Sequence, residues 1–190
     1  MPSFDGIWNI YFDGVDTADG DGNRDIILAN YTGGGENLLL INELDTAAGK
    51  FVFANRNGDV FDVLDSDDTH VAAFGDVAGD GDPDLFVTEV CDGQSNRLLV
   101  NQGNFSGIFI DATTNLPFGE PNSGQSVDAL MGDLDGDGDN DIFVVDRQGN
   151  GAHNNLFIRS MRSAWPMFFR MLSSMPRGNN SYPPRCACVC

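Results

Sequence analysis

The sequence predicts an all-β protein built from repeated four-stranded antiparallel units, and three observations carry that prediction. An Asp- and Gly-rich segment recurs: GDVAGDGDPDLFV at 75–87 and GDLDGDGDNDIFV at 132–144 align without a gap 57 residues apart, and TADGDGNRDIIL at 17–28 is a third copy 59 residues before the first of these. Each copy is followed by short β-favouring runs separated by turns that contain Gly or Asn. No segment of residues 1–158 places apolar residues at i, i+3, i+4 and i+7 for long enough to make a substantial helix.

Taken in order, the runs IILAN (26–30), LFVTEV (85–90) and IFVVD (142–146) are expected as the strands directly after each acidic segment. NLLLIN (37–42), NRLLVN (96–101) and NNLFI (154–158) then return as hairpin partners, and FVF (51–53) and IFID (108–111) add a further strand in the two complete units. HVAAFG (70–75) and SVDALMG (126–132) lead into the next acidic segment. Four strands per repeat are what a propeller blade requires, and such rings close with about four to eight blades. Residues 1–158 hold fewer than three repeats. The expected architecture is therefore an incomplete β-propeller of antiparallel four-stranded blades, about two and a half of them, with a β-sandwich carrying decorated loops as the rival reading; an unclosed propeller has uncovered blade faces that favour self-association or the addition of further blades.

Composition narrows the function. The 190 residues carry 29 Asp and Glu against 10 Lys and Arg, a formal net charge of −19. Phosphate backbones and anionic lipid surfaces attract basic patches, so neither nucleic acid nor a membrane surface is an expected partner. No run reaches the roughly 20 apolar residues of a membrane helix, and the opening MPSFDGIWNI has neither the basic start nor the long apolar stretch of a signal peptide. From Arg159 to Cys190 there is no acid, while Arg159, Arg162, Arg170, Arg177 and Arg185 supply half of the bases and three of the four cysteines close the chain. Residues 1–158 are thus expected as the repeat domain, and 159–190 as a basic, Cys-ended tail outside the fold.

The acids concentrate in the repeated loops. Numbering each loop from its first ligand position, the third carries Asp133, Asp135, Asp137, Asp139 and Asp141 at positions 1, 3, 5, 7 and 9, with Gly138 at position 6. The second carries Asp76, Asp80, Asp82 and Asp84 but Ala78 at position 3, and the first carries Asp19, Asp21, Asn23 and Asp25 but Thr17 at position 1. Alternate residues of a tight turn can aim oxygens at one centre, and clustered carboxylates repel unless a cation holds them. Hard oxygen donors in this number suit calcium, up to three ions, better than the stricter octahedron of magnesium. An EF-hand would need a bidentate Glu at position 12 and flanking helices, whereas Leu28, Val87 and Val144 occupy that position.

The loop G-D-x-D-G-D-G-x-x-D-[LI], followed by a strand, an N-x-L-L-x-N strand and a G-x-F strand, resembles the FG-GAP/VCBS repeat over residues 7–158 and not in the tail. The likeness is to bacterial surface VCBS proteins and the cartilage acidic protein group, and more distantly to integrin α propellers. It implies that each loop joins the first two strands of a blade and holds one calcium ion. It further implies that Asp82 and Asp139 give main-chain oxygens, and Asp84 and Asp141 the closing carboxylates. The two histidines, His70 and His153, fall in no catalytic arrangement, and no G-x-S-x-G, H-E-x-x-H or C-x-x-C occurs. The expected function is therefore a non-enzymatic, extracellular or cell-surface scaffold for adhesion or recognition of a protein or glycan. The alternative is the propeller portion of a larger secreted carbohydrate-active enzyme such as a polysaccharide lyase. Asn30, Asn104 and Asn179 lie in N-x-[ST] sequons.

Overall fold

The computed structural model describes residues 10–16, 18–30, 37–56, 69–90, 95–103, 108–116, 126–146, 154–159 and 169–175; for 10–16, 146, 154–159 and 169–175 it describes the backbone alone. Twelve strands form three four-stranded sheets, each an antiparallel meander in chain order. The first sheet comprises β1 (Ile10–Asp16), β2 (Asp25–Asn30), β3 (Leu38–Asp45) and β4 (Lys50–Asn55). The second comprises β5 (Thr69–Gly75), β6 (Asp84–Glu89), β7 (Arg97–Asn101) and β8 (Phe109–Asp111). The third comprises β9 (Ser126–Gly132), β10 (Asp141–Asp146), β11 (Asn154–Arg159) and β12 (Phe169–Met175). One short 3-10 turn, Thr113–Asn115, follows β8.

Each expected strand is present among these. Two differences stand out. β1, which precedes the first loop, was not assigned from the sequence. The third sheet, moreover, does not stop after its third strand: β12 pairs antiparallel with β11, matching Asn154 to Met175 and Arg159 to Phe169. The expectation that the basic stretch lies outside the fold is corrected for 169–175. The open edge of β11 offers unpaired N–H and C=O groups, and FRMLSSM is the next run along the chain able to pair with it.

The sheets stack face to face with β5 beside both β1 and β9, so the first strands adjoin in a propeller-like arrangement. Side chains alternate between the two faces of a strand, and β6, in the middle sheet, is buried along its whole length. Leu85 and Val87 join Leu99 and Phe109 in packing against Ala18, Ile27, Leu39 and Ile41 of the first repeat. Phe86, one step along, joins Leu98, Val100 and Val77 against Met131, Ile142 and Val144 of the third. That double burial explains why LFV reads as an unbroken apolar run.

A buried polar clamp repeats at the end of the sheets away from the acidic loops. Asn37 accepts the Asn30 N–H at 2.8 Å and donates to Thr69 Oγ1 of the next sheet at 2.9 Å. Asn96 accepts the Glu89 N–H at 2.9 Å and donates to Ser126 Oγ at 2.9 Å. Asn30 is itself only 2% exposed, so its sequon presents no side chain to a glycosyl donor; Asn104 and Asn179 lie outside the described residues.

The third sheet differs from the other two in what covers it. Val77 and Ala18 are fully buried, but Leu134 at the same loop position is 49% exposed; Ala73 is 7% exposed and its counterpart Leu130 is 59%. Gly75 tells the same story from the backbone. A Cβ there would meet Met131 Cβ at 2.6 Å, whereas at Gly132 nothing lies within 4 Å. Gly75→Ala is therefore expected to destabilise the chain by about 1–3 kcal/mol through overpacking, while Gly132→Ala is near neutral. Denaturant unfolding of the two variants checks this, and equal losses would rule out the close approach as the cause.

Candidate metal centres

The three acidic loops share one construction. Each spans the first and second strands of its sheet, closing on the pairs Asp16–Asp25, Gly75–Asp84 and Gly132–Asp141. The glycines at positions 4 and 6 have positive φ in every loop: Gly20 and Gly22, Gly79 and Gly81, Gly136 and Gly138. Only glycine adopts that backbone cheaply. The conformation turns successive N–H groups inward onto the loop's own carboxylates.

Position 1 is the hub. Asp133 accepts the Gly136 N–H at 2.7 Å and the Asp137 N–H at 3.2 Å on Oδ1, and the Gly138 N–H at 3.1 Å on Oδ2. Asp76 repeats this with Gly79, Asp80 and Gly81 at 2.6, 3.2 and 2.9 Å. Position 3 accepts from position 5, at 3.0 Å for Asp19 and 3.1 Å for Asp135. Position 5 accepts from position 7, at 2.7 Å for Asp21, 3.1 Å for Asp80 and 3.0 Å for Asp137. Asn23 also donates its side-chain amide to Asp21 at 2.6 Å. Asp82 lies against Gly103, where a Cβ would stand 2.5 Å from its carboxylate oxygen. Asp139 is half-buried at the equivalent place.

Position 9 is different in kind. Asp25, Asp84 and Asp141 are fully buried, and each accepts the N–H of position 2, from Ala18 at 2.6 Å, Val77 at 2.8 Å and Leu134 at 2.9 Å. The other oxygen of Asp25 accepts the Asn42 N–H at 2.8 Å, and that of Asp84 the Asn101 N–H at 2.9 Å. In the first two loops this residue therefore straps the loop to the third strand, at Asn42 within β3 and at Asn101, the last residue of β7. Asn42 and Asn101 are site residues that the sequence reading treated only as strand markers; their recurrence as the final Asn of N-x-L-L-x-N was the available signal.

The loops are not equally complete. Asp133, Asp135 and Asp141 bring carboxylate oxygens within 4.8 Å of one another, the one such group among the described residues. In the second loop Ala78 replaces the position 3 acid, and its N–H bonds Asp84 instead at 2.9 Å. In the first, Thr17 and the side chain of Asp16 lie outside the described residues. An all-oxygen, anionic set of this kind matches the donors that calcium takes.

Crowding and burial disfavour the charged forms. Desolvation raises Asp84 to about 7, against three backbone N–H groups that pull it down, with the Asp80 charge adding to the rise. Desolvation also raises Asp25 and Asp19, the neighbouring charges of Asp19 and Asp21 respectively adding to it. Asp135 is raised as well, first by desolvation and then by the charges of Asp137, Asp141 and Asp133. A folded carboxyl that keeps its proton up to about 7, against 3.8 for the ordinary group, binds more protons than the unfolded chain across that interval. Its contribution to stability is present below the lower value and lost as pH rises toward the upper one. The metal-free chain is thus expected to lose stability between pH 4 and 7, by no more than about 1.4 kcal/mol per pH unit from this one group. Asp84→Asn flattens the slope. Urea unfolding across the interval decides it; stability that rises with pH in the metal-free parent contradicts the assignment.

In comparison with known proteins, residues 76–144 match the family model of the FG-GAP-like repeat. The match opens on the first residue of the second loop and ends within β10, so it takes in two acidic loops and β6 to β9. The likeness read from the loop pattern holds for this stretch. No curated protein matches the chain.

Proposed function

We propose that this chain, with its FG-GAP-like repeat, is a non-enzymatic blade scaffold that calcium rigidifies outside the cell, where it presents a surface to a protein or glycan ligand. The convergence of Asp133, Asp135 and Asp141 supports the calcium reading most directly. Asp137 and Asp139 complete that loop. Asp76, Asp80, Asp82 and Asp84 would hold a second ion with one ligand fewer, and Asp19, Asp21, Asn23 and Asp25 a third. Bound calcium would neutralise the carboxylates and cross-link loop to strand. Sites of the extracellular class, with dissociation constants of roughly 10⁻⁴ to 10⁻³ M, fill outside cells and stay empty in cytosol, which favours an extracellular setting. No helix among the described residues is long and apolar enough to cross a membrane.

Calcium is expected to raise the melting temperature by several degrees and magnesium far less. One site filled at 100 times its dissociation constant contributes about 2.7 kcal/mol. Asp135→Ala places in the third loop the residue that the second already has, and is expected to remove most of the third site's affinity. Calorimetric titration of parent and variant is the test: identical heats and stoichiometry, or no calcium heat in either, overturn the reading.

Self-association belongs to the same proposal. Leu130 and Leu134 are exposed where their counterparts in the preceding repeats are covered by the following sheet. Light scattering is expected to show mass rising with protein concentration, and Leu130→Asp to reduce that rise. A concentration-independent monomer contradicts it.

A further inference from the structure

A continuous chain of hydrogen bonds joins the first loop to the second. The closing carboxylate of the first, Asp25, accepts the Ala18 N–H at 2.6 Å. The carbonyl of that same residue accepts the side-chain amide of Asn101 at 2.8 Å, across 83 residues of sequence. The backbone N–H of Asn101 then donates to Asp84, the closing carboxylate of the second loop, at 2.9 Å. Asn101 is 3% exposed and its other side-chain contacts hold it in place: it donates to Pro83 O at 3.2 Å and accepts the Gly103 N–H at 3.0 Å. Gly103 in turn lies against Asp82. The Asn101 side chain therefore touches the second position of one loop and, directly or through Gly103, positions 8 and 7 of the next, while its backbone N–H holds position 9.

The counterparts of Asn101 in the neighbouring repeats differ. Asn42, the counterpart in the first sheet, donates its N–H to Asp25 in the same way, yet its side-chain oxygen is buried with no hydrogen-bond partner. The third sheet has Arg159 at that point. Between the second and third loops the contact is instead one of main chain, Asn140 N–H to Asp76 O at 3.2 Å.

We infer that Asn101 is a positioning residue that makes the first two acidic loops one conformational unit, so that cation binding in the second loop orders the first. The inference rests on the calcium reading of the loops. Its physical basis is that a cation drawing on Asp84 and on the 80–84 backbone fixes the end of β7. The Asn101 amide, fixed with it, holds the Ala18 peptide in the orientation that also serves Asp25. Coupling between sites in proteins is typically 5- to 150-fold.

The test uses the full chain with Asp21→Ala to disable cation binding in the first loop, and hydrogen–deuterium exchange of peptides covering residues 18–25 and 76–84. On adding calcium chloride, the second loop is expected to gain protection, and the first loop, unable to bind, to slow in exchange by about fivefold or more. Adding Asn101→Ala is expected to abolish the effect on the first loop while the second keeps its own, because the backbone N–H to Asp84 survives the substitution. Should the Asn101 variant fail to fold, the Asp21→Ala arm alone still decides. Protection confined to the second loop overturns the coupling, as does protection of the first loop that persists without the Asn101 side chain. A second loop that gains no protection from calcium overturns the calcium reading, and the coupling with it.

Discussion

The buried carboxylate at the ninth loop position, Asp25, Asp84 and Asp141, is the constraint on which the other features of each repeat depend. A charged group with no solvent exposure is stable only where hydrogen bonds replace its water. The replacement donors come from two places that must therefore coincide: the second residue of the loop and, in the first two sheets, an Asn of the third strand. The loop cannot open without stripping N–H partners from a buried acid. The third strand cannot slip in register without the same loss. In this way a single side chain sets both the curl of the loop and the alignment of a hairpin that lies well beyond it in sequence.

Stacking of the sheets follows from what surrounds that carboxylate. The donor at position 2 brings its own side chain, Ala18 or Val77, into the interface with the following sheet, where both are fully buried. The residue before the second loop, Gly75, leaves room for Met131 to come close. Small residues at the loop and branched ones along the middle strands let each sheet pack against the next at the inner strands, while Phe51 and Phe53 at the outer edge of the first sheet stay exposed. The polar clamps at Asn37 and Asn96 hold the opposite end of each pair of sheets. Both described interfaces are thus tied by hydrogen bonds at each end, the loop ends through Asn101 to Ala18 O and Asn140 N–H to Asp76 O.

The same arrangement gives the proposed calcium sites their character. The carboxylates present at positions 1, 3 and 5 accept N–H groups of their own loop, so the hydrogen bonds that curl the loop also set the spacing of its acids. The raised proton affinity of Asp84, Asp25, Asp19 and Asp135 has the same origin: these acids are held closer together and drier than their charges favour. In the proposed function a divalent cation would relieve both.

Much of this was legible in the sequence because it is local. Short β-favouring runs between Gly- and Asn-containing turns mark strands; glycines at positions 4 and 6 mark a backbone with positive φ; five acids at alternate positions from 133 to 141 mark the fullest loop, and Ala78 the gap in the second. Each of these depends on residues within a few places of one another. Tertiary structure alone decided that the ninth carboxylate is fully buried, that Asn101 reaches Ala18, that Asn30 is hidden, and that Phe169–Met175 completes the third sheet despite its foreign composition. Those outcomes turn on which backbone groups meet across tens of residues when sheets stack. A composition pattern carries no record of that meeting, because hydrogen-bond partners are chosen by proximity in the packed interior.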